Sequence, residues 1–231
     1  MTDLPIIDIA DLGSEDRAAR RRVAARIGGA CREVGFFVVT GHGVSPASVA
    51  ETFAVSAAFF AQPEEAKRAL AIGRLGHNRG YVGTGVEALD EKAAADHKEA
   101  FNLIWTDGVD RPANVWPDVP GFRAAVQGYF DAVLAVGRRL HSAFALDLDL
   151  AEDFFADKID QPQATLRLLH YPLPRADAPL GQAGAGTHTD YGNVTLLATD
   201  GVAACKCGGA TAPGSTRRRC PAPSSATSAT V

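Results

Sequence analysis

Long apolar runs are missing: nowhere do about eighteen uncharged apolar residues follow one another, so no segment reads as a membrane-spanning helix. The opening Met1-Thr2-Asp3-Leu4-Pro5 lacks the basic stretch and apolar core of a secretion signal, and cytoplasmic residence is expected. Cysteine is scarce, with 4 in 231 residues. Cys205, Cys207 and Cys220 fall near the end, leaving Cys31 alone in the body, which excludes a disulfide framework there and suits a reducing compartment. An excess of positive charge is also lacking. With a net charge of −4 and a pI near 5.9 the chain has no global field favouring nucleic acid or anionic membrane, so a small-molecule partner is expected. At 46% apolar and 22% charged residues it is long enough and rich enough to bury a core.

Those averages conceal a break. All 27 acidic residues lie in 1–203, whereas 204–231 holds none and carries Lys206, Arg217, Arg218 and Arg219. That tail has no Leu, Ile, Met, Phe, Tyr or Trp, and Ala, Gly, Pro, Ser and Thr make up 20 of its 28 residues. Such a composition buries too little apolar surface to offset backbone ordering, so disorder is expected over 204–231.

Residues 1–203 read as one mixed domain without internal repeats. Leu4 to Ile9 has the pattern of a short strand. Ser14 can cap a helix carrying Val23, Ile27, Ala30 and Val34, which Gly35 stops ahead of the strand Phe36-Phe37-Val38-Val39. Ser45-Pro46 starts a second helix expected to show Val49, Phe53, Ala57 and Phe60 on its apolar face. Gly121 to Leu146 predicts a long helix, with Phe122, Val126, Phe130, Val133, Gly137, Leu140 and Phe144 recurring every three or four residues. The period then falls to two: Thr165 to Tyr171 and Asn193 to Thr199 read as strands, joined through the glycine-rich stretch 181–186. Helices early and strands late predict an α+β domain with helices packed on a β core.

His188 and Asp190 stand two residues apart, so in extended backbone both side chains leave the same face and can converge on one ion. One imidazole and one carboxylate suit Fe(II), with further positions left for a co-substrate and O2. The plain alternative is a surface His and Asp hydrogen-bonding at a strand end. His42, His77, His97, His141 and His170 show no ligand spacing and are expected to be hydrogen-bonded or surface histidines.

Seven segments in order resemble the isopenicillin N synthase-like family of Fe(II)- and 2-oxoglutarate-dependent dioxygenases. They are Leu4-Pro5-Ile6-Ile7-Asp8; Gly35 through Val44; Asn78-Arg79-Gly80-Tyr81; Asp96-His97-Lys98-Glu99-Ala100-Phe101; Trp116-Pro117 with Pro120 to Arg123; Leu166 through Pro172; and His188 through Leu197. The resemblance implies a double-stranded β-helix, or jelly roll, with N-terminal helices packed on it. By that resemblance the chain divides into an N-terminal helical and strand region over 1–110, the first part of the jelly roll over 111–203, and the tail. It also implies His188 and Asp190 as iron ligands, with no catalytic residue beyond the metal ligands, 2-oxoglutarate as co-substrate and O2 as oxidant. The reaction implied is oxidative decarboxylation of 2-oxoglutarate coupled to hydroxylation, desaturation or cyclisation of a small molecule. Tyr171 resembles the family tyrosine that hydrogen-bonds a co-substrate or substrate carboxylate, its alternative being a strand-end ring packed on the core; Leu169 stands where plant members often place Asn. Arg79 and Tyr81 match a loop that can meet substrate, or are a solvated arginine and a packed ring.

The pattern stops near residue 203. The family's later strand, its distal iron-binding histidine and its Arg-x-Ser pair do not follow, and no histidine stands after His188. Regrouping GC-rich codons for Ala204-Cys205-Lys206-Cys207 by one base restores Gly-Leu-Gln-Val, the family's next strand. A one-base frameshift near Ala203 is therefore expected, making the chain a truncated form of a longer enzyme. Two alternatives accompany it: a catalytically inactive remnant with at most weak metal binding, and a zinc site built from Cys205, Cys207, Cys220 and His188, whose Cys-x-Cys spacing is unusual for zinc.

Overall fold

The computed structural model describes residues 4–86, 96–173, 184–185, 188, 190, 192–202, 206–207, 218–219 and 227–230. They form a mixed α+β chain that divides into two units, each discontinuous in sequence. One holds 1–46, 131–160 and 190–231; the other holds 47–130 and 161–189. The units interleave in sequence because strands far apart in the chain pair with each other.

In the first unit, β1 (Ile6–Asp8) runs parallel to β2 (Phe36–Thr40), with Ile6 opposite Val38 and Asp8 opposite Thr40. The connection is α1 (Arg17–Glu33), which buries Ala19, Val23, Ala24, Ile27 and Ala30 along one face. Its cap is Asp16 rather than Ser14: the Asp16 carboxylate accepts from the Ala18 N–H at 2.8 Å, while the Ser14 hydroxyl accepts from the Asp16 N–H. A carboxylate near the helix start also meets the positive end of the dipole, which a hydroxyl does not. Gly35, at φ 77°, ends the helix by donating to the Ala30 carbonyl.

β6 (Thr195–Leu197) is shorter than the predicted strand, and β9 (Thr227–Thr230) lies between β2 and β6, antiparallel to both. Two further short strands, β7 (Lys206–Cys207) and β8 (Arg218–Arg219), pair with each other. Eight residues of the tail thus lie in strands. Composition reports on apolar burial, but a strand edge also demands backbone partners, which Thr, Ser and Ala supply as well as any residue.

The second unit is built on an antiparallel sheet of β3 (Gly80–Val82), β4 (Glu99–Ile104) and β5 (Thr165–His170). In β4 every residue but Ile104 is buried, so the strand lacks the alternation that would reveal it. α2 (Pro46–Phe60) turns a different face inward from the one predicted: Thr52, Ser56, Phe59 and Phe60 are buried, whereas Phe53 and Ala57 are exposed. Thr52 is tolerated there because its hydroxyl donates to the Ser48 carbonyl at 2.8 Å. Phe59 is the hub, with ring centroids 4.9 Å from Phe101, 5.1 Å from Phe60, 5.8 Å from Phe122 and 6.0 Å from Tyr81. The short helices α3 (Glu64–Arg68) and α4 (Ile72–Leu75) complete this part. The long helix α5 (Phe122–Asp147) forms as predicted; its residues through Phe130 belong to the second unit and the rest to the first. Val136, Leu140, Ala143 and Leu146 are among its buried positions in the first unit.

Candidate active site

The sheet of the second unit positions most of the predicted site residues. Register sets Glu99 opposite His170 and Tyr81 opposite Phe101. Glu99 is 5% exposed, and its carboxylate accepts from Lys67 Nζ at 2.7 Å and from the Tyr81 hydroxyl at 2.6 Å, while its other oxygen meets His170 Nδ1 at 2.7 Å. Burial alone would raise the Glu99 pKa, but the hydrogen bonds from Lys67, Tyr81 and His170 outweigh it and hold the carboxyl below its ordinary value. Tyr81 shifts the opposite way: burial and its bond to Glu99 push the phenol well above the usual range. Its ring is 2% exposed and its hydroxyl is committed to Glu99, an arrangement of the packed-ring kind. Sequence spacing does not reveal the joint role of Lys67, Glu99 and His170; only the segment Asp96-His97-Lys98-Glu99 carries a signal of it. Beside it, Lys98 Nζ meets the Asp96 carboxylate at 2.6 Å, both side chains buried.

Arg79 immediately precedes β3. Gly80, at φ 119°, is required there, since a Cβ would strike the Leu70 carbonyl, the same oxygen that accepts the Tyr81 N–H at 2.8 Å. The backbone so fixed leaves Arg79 6% exposed, with Nε lacking a hydrogen-bond partner among the described residues. The solvated-arginine alternative does not hold.

Tyr171 follows β5 and is 49% exposed rather than packed in the core. The backbone of Gly184 lies against its ring, where a Cβ would stand 2.7 Å from Cδ1. Leu169 is 38% exposed. His188 stands near the end of the second unit's sequence, Asp190 belongs to the first, and both are exposed. Thr187, Thr189, Tyr191 and residues 174–183 and 186 lie outside the described residues, as do Cys205 and Cys220 of the zinc alternative. Among the described residues no group of three or more His, Cys, Asp or Glu side chains is placed to hold a metal ion. One imidazole and one carboxylate, both exposed, fit Fe(II) as two members of a larger ligand set. The five other histidines all make hydrogen bonds: His42 and His77 accept backbone N–H groups, His97 and His141 meet carbonyls, and His170 meets Glu99.

Residues 4–119 match the family model described as the N-terminal region of non-haem dioxygenase in morphine synthesis. The chain is 31% identical to the proline hydroxylase buaE of Petromyces alliaceus, over 90% of its own length and 68% of that protein. It belongs to the non-haem, 2-oxoglutarate-dependent dioxygenases. This dioxygenase chain is also 33% identical to the 2-oxoglutarate-Fe(II) type oxidoreductase hxnY of Emericella nidulans, matching 86% of its own length but spanning only 61% of that relative. The crystal structure of a full-length Neurospora crassa protein in complex with alpha-KG superposes with a TM-score of 0.87 at 26% identity, covering 98% of the chain and 72% of that protein. No helix among the described residues is long and apolar enough to cross a membrane.

Proposed function

We propose that the chain is the larger part of an Fe(II)- and 2-oxoglutarate-dependent oxygenase acting on a small molecule, with a jelly-roll core. The observation that carries this is the exposed pair His188 and Asp190, two residues apart in a member of this dioxygenase family. His188 and Asp190 would hold the iron, the carboxylate offsetting part of its charge. When bound, the iron with 2-oxoglutarate and O2 supplies the oxidation of substrate coupled to release of succinate and CO2. Tyr171, half exposed with the Gly184 backbone against its ring, would hydrogen-bond a carboxylate of the co-substrate. The Glu99 network holds β4 and β5 in register behind it.

The proposal extends to the tail. Its composition and the one-base regrouping support a reading frame that continues past Ala203 into the rest of the enzyme. Sequencing the gene across the codons for Val202 to Lys206 tests that directly. Succinate formation from 2-oxoglutarate with Fe(II) then tests the function: turnover is expected in the frame-restored chain, with loss in His188→Ala and Asp190→Ala. Turnover that survives either substitution would overturn the ligand assignment, and its absence from the frame-restored chain would overturn the function.

A further inference from the structure

His141, on α5, has its ring set by two hydrogen bonds. Nδ1–H donates to the Gly137 carbonyl, one turn back in the same helix, at 2.8 Å, so Nε2 keeps its lone pair and accepts from the Asn193 Nδ2 amide, also at 2.8 Å. Phe144 and Phe155 meet the ring edge-on, with centroids 5.8 and 5.9 Å away. The ring also borders a cavity of about 380 Å³ whose lining includes Arg138, Ser142 and Ile159. Packing thus leaves the imidazole room to turn, and the bond to its own helix is what aims Nε2 at Asn193.

Asn193 occupies a particular place in the chain. It lies three residues after Asp190 and two before β6, in the same unit as His141, and Gly192 to Val194 belong to no helix or strand. Gly192, at φ 91°, turns the chain between Asp190 and Asn193 in a conformation that other residues rarely adopt. Strand pairing resumes at Thr195, opposite Thr230. A stretch outside the ladders depends on side-chain bonds for its position, and that of Asn193 ends on a helix of 26 residues.

We propose that His141 is a positioning residue for the iron ligand Asp190: through Asn193 it ties the segment bearing that carboxylate to α5. The inference rests on the reading of Asp190 as an iron ligand. A carboxylate on an untethered stretch loses conformational freedom when it takes a metal, and a tether three residues away removes part of that loss beforehand. One such bond acts on affinity as an outer partner of a metal ligand does, changing it several-fold without abolishing it.

The full-length chain is dialysed to equilibrium against Co(II), which takes the same ligand types as Fe(II). Asp190→Ala is expected to remove a binding component that the parent shows. Within that component His141→Phe, which keeps a ring beside Phe144 and Phe155 but has no acceptor, should raise half-saturation at least about threefold. Asn193→Ala should do the same, and the double variant no more than either alone, since both remove one bond. His141→Gln, whose Oε1 can accept where Nε2 did, should restore the parent affinity to within about twofold. Melting without metal is followed in parallel. A lower melting temperature with unchanged Co(II) affinity would make the pair merely structural and overturn the proposal, as would additive effects or a His141→Gln chain that binds as weakly as His141→Phe. Should His141→Phe fail to fold, Asn193→Ala, at an exposed residue, decides the matter alone. Co(II) binding indifferent to Asp190→Ala sinks the ligand assignment and the positioning role with it, whereas a response to Asp190→Ala without one to Asn193→Ala sinks only the positioning role.

Discussion

In the unit built on β1 and β2, ion pairs lie at the rim. Arg21 meets Asp149 with side chains 48% and 83% exposed, and Arg32 meets Asp147 with the arginine 62% exposed. In the unit built on β3 to β5, an exposed pair also occurs, Arg68 with Glu64, but two pairs are inside: Lys67 and Glu99 are 8% and 6% exposed, Lys98 and Asp96 5% and 3%. The two settings obey different physics. A rim pair exchanges water for a partner at little gain, so either member can be lost without leaving a stranded charge. A buried pair has already lost its hydration, and removing one member leaves the other uncompensated. Buried charge is therefore informative about where the fold must hold its geometry, and here that is the sheet from which Arg79 and Tyr171 project.

The sharpest break of this contrast is Glu99→Ala. It removes the shortest partner of the Lys67 ammonium, the Tyr81 hydroxyl and a ring nitrogen of His170 together, leaving Lys67 the Phe60 carbonyl at 3.3 Å and Glu64 at 3.4 Å, and should cost about 3–5 kcal/mol in urea or thermal unfolding. A loss below about 1 kcal/mol would show that water reaches the network. The same carboxyl gives a pH test. Its folded pKa lies below the ordinary 4.5, so its contribution is fully present above that pH and is lost as pH falls through the lower folded value. The parent should thus lose stability on acidification below about pH 4.5, and Glu99→Gln should flatten that part of the curve.

What the sequence made legible follows the same division. Helices α1 and α5 announce themselves through repeats of Val23, Ile27 and Ala30 or Phe122, Val126 and Phe130, because one face is wet and the other dry. β4 does not, since five of its six residues are buried and Glu99 and Asn102 interrupt the apolar run. The face of α2 is misread for a related reason. Thr52 and Ser56 look like solvent residues, but a hydroxyl bonded to its own helix, as that of Thr52 is, is no burden in the interior. Of the candidate site, His188, Asp190, Arg79 and Tyr171 are legible as residues. The burial of Arg79 and the missing partner of its Nε are not, because they depend on how the folded chain packs around it.

A second comparison is between the two sheets themselves. β4 and β5 pair over six residues each, whereas β9 fills the gap between β2 and β6 with Thr, Ser and Ala. Ser228→Pro places a residue without an N–H in the middle of β9 and should cost about 1–3 kcal/mol if that pairing supports the first unit. Unchanged melting would show that β9 contributes nothing to the sheet's stability, and the equivalent change at Leu168 in β5 would then mark the contrast at its widest.

The smallest effects are expected at the rim, and they test the rule rather than the site. Arg20 reaches Glu152 with two bonds, Nε at 2.7 Å and Nη2 at 2.9 Å, and its side chain is 19% exposed. Arg21 makes one bond of 3.2 Å to an exposed Asp149. Arg20→Ala should therefore lower the melting temperature slightly, since a two-bonded fork loses less side-chain freedom per bond than a single contact. Arg21→Ala should leave it unchanged. Raising the salt concentration should erase most of the first difference, because exposed charges are screened within about 10 Å at 0.1 M. The Glu99→Ala loss should persist in the same salt, since counterions do not enter a site whose carboxylate is buried among Lys67, Tyr81 and His170. If both losses faded alike, the interior of the second unit would be wet.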